Sequence, residues 1–278
     1  MLVSQTLSLI YAWLVILYCY LTVSFDSVDR LYYSVTRITT HYYTLENLVD
    51  PKPEKIATGF FYQNLSNGQR FLITNKHVIV NENENYFPNV VRIKFHVNPK
   101  DLKQNRDYDI PLYQSAKKLW LQPKEGSADI VAIKIDITEL VQRHFIATFF
   151  ASNNLLPTDM RLHVADDVFV MGYPLGIYDE IHNLPITRNG TISSAYPVYF
   201  NEKPYFLVDA NLQEGASGSP VITKFKYIRP VASGGSIFSG PSCYLLGIIS
   251  STFPFGETRK PPELNATYYA SIIESMTA

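Results

Sequence analysis

The segment at residues 214–221, with the sequence Glu-Gly-Ala-Ser-Gly-Ser-Pro-Val, constrains the fold of this chain more than any other. Ser217 stands between two glycines, which tolerate the backbone conformations of a tight turn. Proline and an apolar run follow, so a strand is predicted to begin directly after the turn. A nucleophilic side chain is thus predicted to lie beside the start of a buried strand.

Two other segments also place a polar residue beside an apolar, β-branched run. His77 follows the run at residues 71–74, and Asp129 opens the run at residues 130–135. Along the chain these segments give His, Asp and then Ser, an order known from one type of serine peptidase. The three residues are far apart in sequence, so only tertiary structure can bring them together.

This set of residue types has a specific chemical use. A serine hydroxyl is a weak nucleophile that needs an adjacent base, which His77 would supply while Asp129 orients the imidazole ring. The developing oxyanion needs main-chain donors, a role assigned to the N–H groups of Gly215 and Ser217. Each residue alone has an ordinary interpretation as a core histidine or a turn residue. Their combination and order favour a serine peptidase.

Composition excludes several other classes. The chain has 278 residues, is 46% hydrophobic and carries a formal charge of −1, which argues against disorder and against a nucleic-acid-binding surface. Its two cysteines, Cys19 and Cys243, cannot form a disulfide scaffold. No metal site or cofactor is predicted, because the remaining histidines lack the spacing of metal ligands. An α/β-hydrolase is excluded because Ser219 replaces the final glycine of its motif and the chain order differs.

The first 25 residues contain no charged side chain. Residues 7–25 are long enough to cross a hydrocarbon layer of about 30 Å as a helix. A membrane anchor is favoured over a signal peptide, because basic residues and a small-x-small cleavage site are both missing. A buried or interfacial helix is the third interpretation. Membrane anchoring or export is therefore favoured over a cytoplasmic location.

From residue 30 onward the pattern is one of short strands separated by turn residues, typical of an all-β sandwich or barrel. Asn64–Gly68 indicates a hairpin connection, and residues 232–242 indicate a Ser/Gly-rich loop. Helices are predicted only at residues 138–145 and 263–276. Strands are predicted at residues 31–43, 58–63, 69–74, 90–97, 129–135, 167–171, 190–194, 205–209, 219–223 and 244–251.

The motifs together resemble the trypsin-like peptidases of the chymotrypsin fold, in particular the bacterial HtrA-type and glutamyl-endopeptidase-type branch. The resemblance implies two six-stranded antiparallel β-barrels with the active site between them, and a short C-terminal helix. It implies one peptidase domain at residues 26–278, with barrels at about 30–150 and 155–262 and the helix at about 263–276. The matching segments are residues 58–61, 74–78, 128–132, 172–176, 209–220 and 246–250.

Two departures from related peptidases bear on regulation. Zymogen-activated members carry an aspartate directly before the nucleophile, where this chain has Ala216. Activation by insertion of a new N-terminus is therefore not expected. HtrA proteins also carry a C-terminal PDZ domain, which is not expected here.

The resemblance also implies a primary specificity pocket. Asn211 would lie at its base, where trypsin has an aspartate, so cleavage after Lys or Arg is disfavoured. Ile249 replaces the substrate-binding histidine of glutamyl endopeptidases, so cleavage after Glu is disfavoured. Ser250, Ser251 and Thr252 would line the wall. A preference for small or medium apolar side chains is predicted.

Three functions remain open from the sequence. The first is an active endopeptidase acting on protein or peptide substrates, which the complete set of His77, Asp129 and Ser217 favours. The second is a catalytically silent or conditionally active module that serves as a sensor or peptide-binding protein. The third is a peptidase with a single partner protein as substrate.

Overall fold

A computed structural model of the chain describes residues 27–43, 55–124, 128–174, 178–231, 235–252 and 264–278. The architecture is mostly β, with a curved sheet in the first half and a closed barrel in the second. Alternating apolar side chains fill the space inside each sheet, as expected for half-buried strands.

The first half forms an eight-stranded sheet and a small separate hairpin, β6 with β7. The sheet order is β5-β4-β1-β2-β3-β9-β8, and β10 pairs in parallel with β2. Its core includes Phe61 and Phe95, whose rings stack at 5.1 Å. The strands are β1 (Val35–His41), β2 (Lys55–Gln63), β3 (Arg70–Thr74), β4 (Val90–His96), β5 (Asn105–Pro111), β6 (Tyr113–Gln114), β7 (Lys117–Lys118), β8 (Trp120–Leu121), β9 (Val131–Lys134) and β10 (Phe150–Ala151).

The second half closes a six-stranded barrel in the order β11-β12-β13-β18-β17-β14. The hairpin of β15 and β16 lies outside this barrel. Val168, Phe206 and Ile249 belong to the barrel core. The strands are β11 (Asp167–Gly172), β12 (Ile186–Ile192), β13 (Tyr205–Asp209), β14 (Pro220–Thr223), β15 (Lys226–Val231), β16 (Gly235–Ser242), β17 (Leu245–Thr252) and β18 (Leu264–Tyr269).

A shared apolar core and the last helix hold the two sheets together. The core combines Phe60 and Ile130 of the first half with Ile222 and Ile248 of the second. The four α-helices of the described ranges are α1 (Ser27–Tyr32), α2 (Lys76–Ile79), α3 (Ile137–Gln142) and α4 (Ala270–Thr277). Helix α4 returns to the first sheet, where Asn64 donates a side-chain hydrogen bond of 3.2 Å to Thr277.

The predicted fold class is confirmed, with a closed six-stranded barrel, a half-barrel sheet and a short C-terminal helix. The first sheet is not a closed six-stranded barrel in the described residues, because no pairing joins its edge strands β5 and β8. Strand β5 was not predicted. It carries several charged residues and buries only Tyr108 and Ile110, yet it pairs with β4 along its whole length.

Several predicted elements were wrong in their type or bounds. Residues 31–43 begin in helix α1, and the strand starts only at Val35. Residues 263–276 contain strand β18 before helix α4, because β13 and β17 pair with β18 on both sides. The Ser/Gly-rich loop contains strand β16, which pairs with β15.

Residues 1–26, which carry the predicted anchor or signal peptide, lie outside the described residues. Within the described ranges, no helix is long and apolar enough to cross a membrane. The membrane anchor stays a prediction.

Candidate active site

His77 lies on the one-turn helix α2, directly after strand β3. Asn75 precedes the helix in an extended conformation and is fully buried. Its side-chain amide donates a hydrogen bond of 2.8 Å to the main-chain oxygen of Asp129. Since β3 pairs with β9, this bond links the end of β3 to the segment that leads into β9.

Asp129 holds His77 through both carboxylate oxygens. Oδ1 accepts the main-chain N–H of His77 at 2.9 Å, and Oδ2 contacts the ring Nδ1 at 2.6 Å. Because a carboxylate only accepts hydrogen bonds, the proton of the neutral ring lies on Nδ1 and Nε2 keeps its lone pair. The His77 side chain is 37% exposed, so a basic nitrogen is available beside solvent.

Ser250 adds a second hydrogen bond to the same carboxylate. The register between β17 and β18 shifts between Ile249 and Ser251, which is a β-bulge. Bulges redirect side chains, and here the Ser250 hydroxyl donates to Oδ2 of Asp129 at 2.7 Å. This contact was not predicted, because no local sequence signal marks a bulge that depends on strand register.

Ser217 lies in a turn that requires glycine on its C-terminal side. Gly215 and Gly218 have φ values of 89° and 87°, which side chains rarely adopt. A Cβ on Gly218 would come within 1.9 Å of the main-chain oxygen of Thr58. The turn is therefore packed directly against strand β2 of the first sheet.

Along this turn, main-chain N–H groups that donate a hydrogen bond alternate with N–H groups that do not. Those of Ala216 and Gly218 donate to main-chain oxygens at 3.1 and 2.9 Å. Within the described part of the chain, those of Gly215 and Ser217 donate to no protein acceptor. Two free N–H groups on either side of one residue can bind a single negatively charged oxygen.

The Ser217 hydroxyl points to Ser250. It donates a hydrogen bond of 3.1 Å to the Ser250 main-chain oxygen. Among the described residues it makes no hydrogen bond with His77. Ser250 thus contacts both Ser217 and Asp129, and links the turn of Ser217 to the His77–Asp129 pair.

The predicted pocket residues have different environments. Asn211 is exposed, and Ile249 is buried in the barrel core. Ser251 and Thr252 lie at the end of β17, and their side chains are outside the described set. Asn265 on β18, which was not predicted, is buried and donates at 2.7 Å to the carbonyl group that precedes Asn211.

The His182–Asp179 pair and Cys243 are of residue types that also occur in catalytic sites, but neither has the properties of one here. His182 contacts Asp179 at 2.8 Å, but Asp179 also accepts N–H groups from its own turn, so this pair closes a loop. Burial raises the pKa of the Cys243 thiol to about 11. The thiol is therefore protonated at neutral pH and a poor nucleophile.

The chain is similar to one protein family in sequence and to solved structures. No curated protein sequence matches the chain. The solved structures that match include the active form of the Rv3671c protease from M. tuberculosis, with 16% identity, a TM-score of 0.46, and coverage of 90% of this chain and 81% of that one. The family model for the trypsin-like peptidase domain matches residues 57–225, more than half of the chain. The chain therefore belongs to the trypsin-like peptidase family.

Proposed function

We propose that this chain is a serine endopeptidase that uses Ser217 as nucleophile, His77 as general base and Asp129 as the group that orients the base. The observation that carries the proposal is the 2.6 Å contact between His77 Nδ1 and Asp129 Oδ2, next to a glycine turn that holds Ser217. The family to which the chain belongs supports the same reaction.

The first step is attack on the peptide carbonyl. The Ser217 hydroxyl rotates from the Ser250 carbonyl towards His77, and Nε2 takes its proton as the Oγ–C bond forms. The imidazolium that results is stabilised by Asp129, whose carboxylate stays ionised. The carbonyl oxygen becomes an oxyanion.

The free N–H groups of Gly215 and Ser217 bind this oxyanion. One such donor typically contributes about 10²–10³-fold to turnover. His77 then donates its proton to the leaving amine as the C–N bond breaks, which leaves an acyl group on Ser217. Water, deprotonated by the same imidazole, hydrolyses the acyl-enzyme and restores the hydroxyl.

The proposed substrate is a protein or peptide with a small or medium apolar residue before the cut bond. Asn211 is exposed and Ile249 is buried, and both are uncharged. Neither side chain can therefore form an ion pair with a basic or acidic residue of the substrate. A peptide-library digest should show cleavage mainly after residues such as Ala, Val or Leu. Dominant cleavage after Lys, Arg or Glu would contradict this preference.

A conditionally active module is the second candidate, and one observation favours it. The Ser217 hydroxyl donates its hydrogen bond to the Ser250 carbonyl rather than to His77. If this arrangement persists in solution, the nucleophile is not activated until a ligand displaces that bond.

Reaction with a fluorophosphonate probe distinguishes the two candidates. An active site labels without any added ligand, and Ser217→Ala and His77→Ala each abolish labelling. A conditionally active site labels only after a peptide is added. Folded protein that never labels would refute both.

Ser219 provides the matched control for the nucleophile. It lies two residues away in the same turn, is fully buried, and its hydroxyl has no hydrogen-bond partner in the described structure. Ser219→Ala should therefore label as wild type does. If Ser219→Ala also lost labelling, the loss in Ser217→Ala could come from a disturbed turn rather than from the missing Ser217 hydroxyl.

A further inference from the structure

We propose that the Thr58 hydroxyl positions the oxyanion-binding turn, so that one side chain of the first sheet keeps the N–H groups of the second barrel oriented. This inference rests on the proposed function, because it assigns a purpose to Thr58 only if the turn binds an oxyanion.

Thr58 is fully buried on β2 and uses each of its polar groups. Its N–H donates to the Ser217 carbonyl at 3.0 Å, and its hydroxyl donates to the Gly215 carbonyl at 2.8 Å. The same hydroxyl accepts the Tyr173 N–H at 2.9 Å. The Thr58 carbonyl accepts the Thr74 hydroxyl at 2.8 Å.

These bonds fix the two peptide groups on either side of the nucleophile. The carbonyl of Gly215 is held by Thr58, while the N–H of the same peptide group donates to the main-chain oxygen of Gln213 at 3.1 Å. The carbonyl of Ser217 is held by the Thr58 N–H, while the N–H of that peptide group donates to strand β17. Rotation of either group would break two bonds. The free N–H groups of Gly215 and Ser217 are adjacent to these fixed groups and keep their direction.

The packing around this contact is close at two glycines. A Cβ on Gly172 would come within 2.8 Å of the Thr58 hydroxyl and 2.1 Å of the Ser219 hydroxyl. A Cβ on Gly218 would come within 1.9 Å of the Thr58 carbonyl. The contact between Thr58 and the turn therefore depends on glycine at both positions.

The residue before the nucleophile supports the same conclusion. Ala216 has no charged or polar side chain, so the turn receives no ion pair from this position. Neutral hydrogen bonds hold the turn instead, and one of them comes from the Thr58 side chain.

Replacement of the hydroxyl tests this inference. Thr58→Val keeps the shape but leaves the Gly215 carbonyl and the Tyr173 N–H without a partner. The maximal rate of fluorophosphonate labelling should fall about 10- to 100-fold, because the donors to the developing oxyanion are misaligned. The probe concentration that gives half-maximal rate should not change, because ground-state binding does not use these donors.

Thr36→Val is the matched control. Thr36 is also fully buried on the first sheet, and its hydroxyl likewise exchanges hydrogen bonds with main-chain groups of another strand, those of Lys94. This variant should lose stability without loss of labelling rate. Thr58→Ser and Thr58→Ala form a second pair that differs only in the hydroxyl, in case the valine variant does not fold.

The outcomes separate the two proposals. Wild type that labels, with slow labelling in Thr58→Val or Thr58→Ala and recovery in Thr58→Ser, supports the role of Thr58. Equal rates for wild type and the hydroxyl-free variants would overturn this role alone. Folded wild type that never labels would overturn the proposed function, and the role of Thr58 with it.

Discussion

The His77–Asp129 pair and the turn that contains Ser217 are held in position in different ways. His77 and Asp129 are joined by two hydrogen bonds to one carboxylate, and both follow from the pairing of β3 with β9 within the first sheet. Ser217 belongs to the second barrel, but Thr58 of the first sheet holds the carbonyl groups around it.

This difference shows that one half of the site is local and the other depends on contact between the sheets. The two hydrogen bonds between His77 and Asp129 lie within two neighbouring strands, and the second barrel adds one further bond to Asp129 from Ser250. The turn needs both sheets in contact, and it also needs glycine where the two surfaces meet. Changes within the pair should therefore affect catalysis alone, whereas changes at the turn should affect catalysis and stability together.

The largest effect is expected from Asp129→Asn. An amide in place of the carboxylate favours the wrong imidazole tautomer, and kcat should fall on the order of 10⁴-fold with little change in the free energy of unfolding. Steady-state kinetics and urea unfolding would measure both. Asp179→Asn, in the second His–Asp pair, is the control and should leave kcat unchanged. A large loss of stability in Asp129→Asn would contradict the local character of the pair.

Gly218→Ala should reduce activity and stability together. The positive φ alone costs about 1–2 kcal/mol, and the contact with the Thr58 carbonyl adds to it. Gly68→Ala separates the two contributions, because Gly68 has a φ of 70° but open space around a Cβ. Urea unfolding of both variants should show the larger loss for Gly218→Ala. Equal losses would mean that the close contact with Thr58 contributes nothing.

Ser250→Ala removes the hydrogen bond that reaches Asp129 from the second barrel. A hydrogen bond to a charged group contributes about 1.5–3 kcal/mol, so kcat should fall at least about 10-fold while KM stays constant. Ser250→Thr keeps a hydroxyl and should recover part of the rate. An unchanged kcat in Ser250→Ala would show that the first sheet positions Asp129 without the hydrogen bond from Ser250.

The smallest effect concerns His96, which links the two halves away from the site. Its Nε2–H donates to the His182 carbonyl, and its ring meets the edge of Tyr33 at 5.2 Å. Desolvation lowers the pKa of His96 below its ordinary value despite this bond. The unfolded chain therefore binds more protons than the folded one below about pH 6.5, and stability should fall as pH drops through this range.

Urea unfolding at pH 5 and pH 7.5 measures this dependence. His96→Gln should reduce the difference in unfolding free energy between the two pH values. His163→Gln, at an exposed histidine, is the comparison variant. A reduction in His163→Gln as large as that in His96→Gln would contradict the assignment of the acid sensitivity to His96.

Residue types and chain order predicted His77 and Asp129 as site residues, and the two side chains are in contact because they lie next to strands that pair. Their catalytic roles stay predictions. The same information could not reveal the contact of Ser250 with Asp129, because that contact depends on a register shift between β17 and β18. Thr58 was also missed as a site residue. A threonine before a glycine is common, and only the packed structure shows which carbonyl its hydroxyl reaches.

The fold class was predicted correctly. Two of its strands were not predicted, for a related reason. Residues 264–269 were predicted as helix, but hydrogen bonding to strands on both sides makes them β18. Residues 105–111 have weak strand character alone and form β5 through long-range pairing. In both segments a partner distant in sequence outweighs local preference.

The division of the site between two sheets also bears on when a chain of this kind becomes active during its synthesis. Chains emerge from the ribosome N-terminal end first, so His77 and Asp129 are made well before Ser217. Thr58 has no turn to hold until residues 215–218 exist, and Ser250 follows later still. Under the proposed mechanism a partly synthesised chain cannot cleave its neighbours, because hydrolysis requires both halves to be complete and docked.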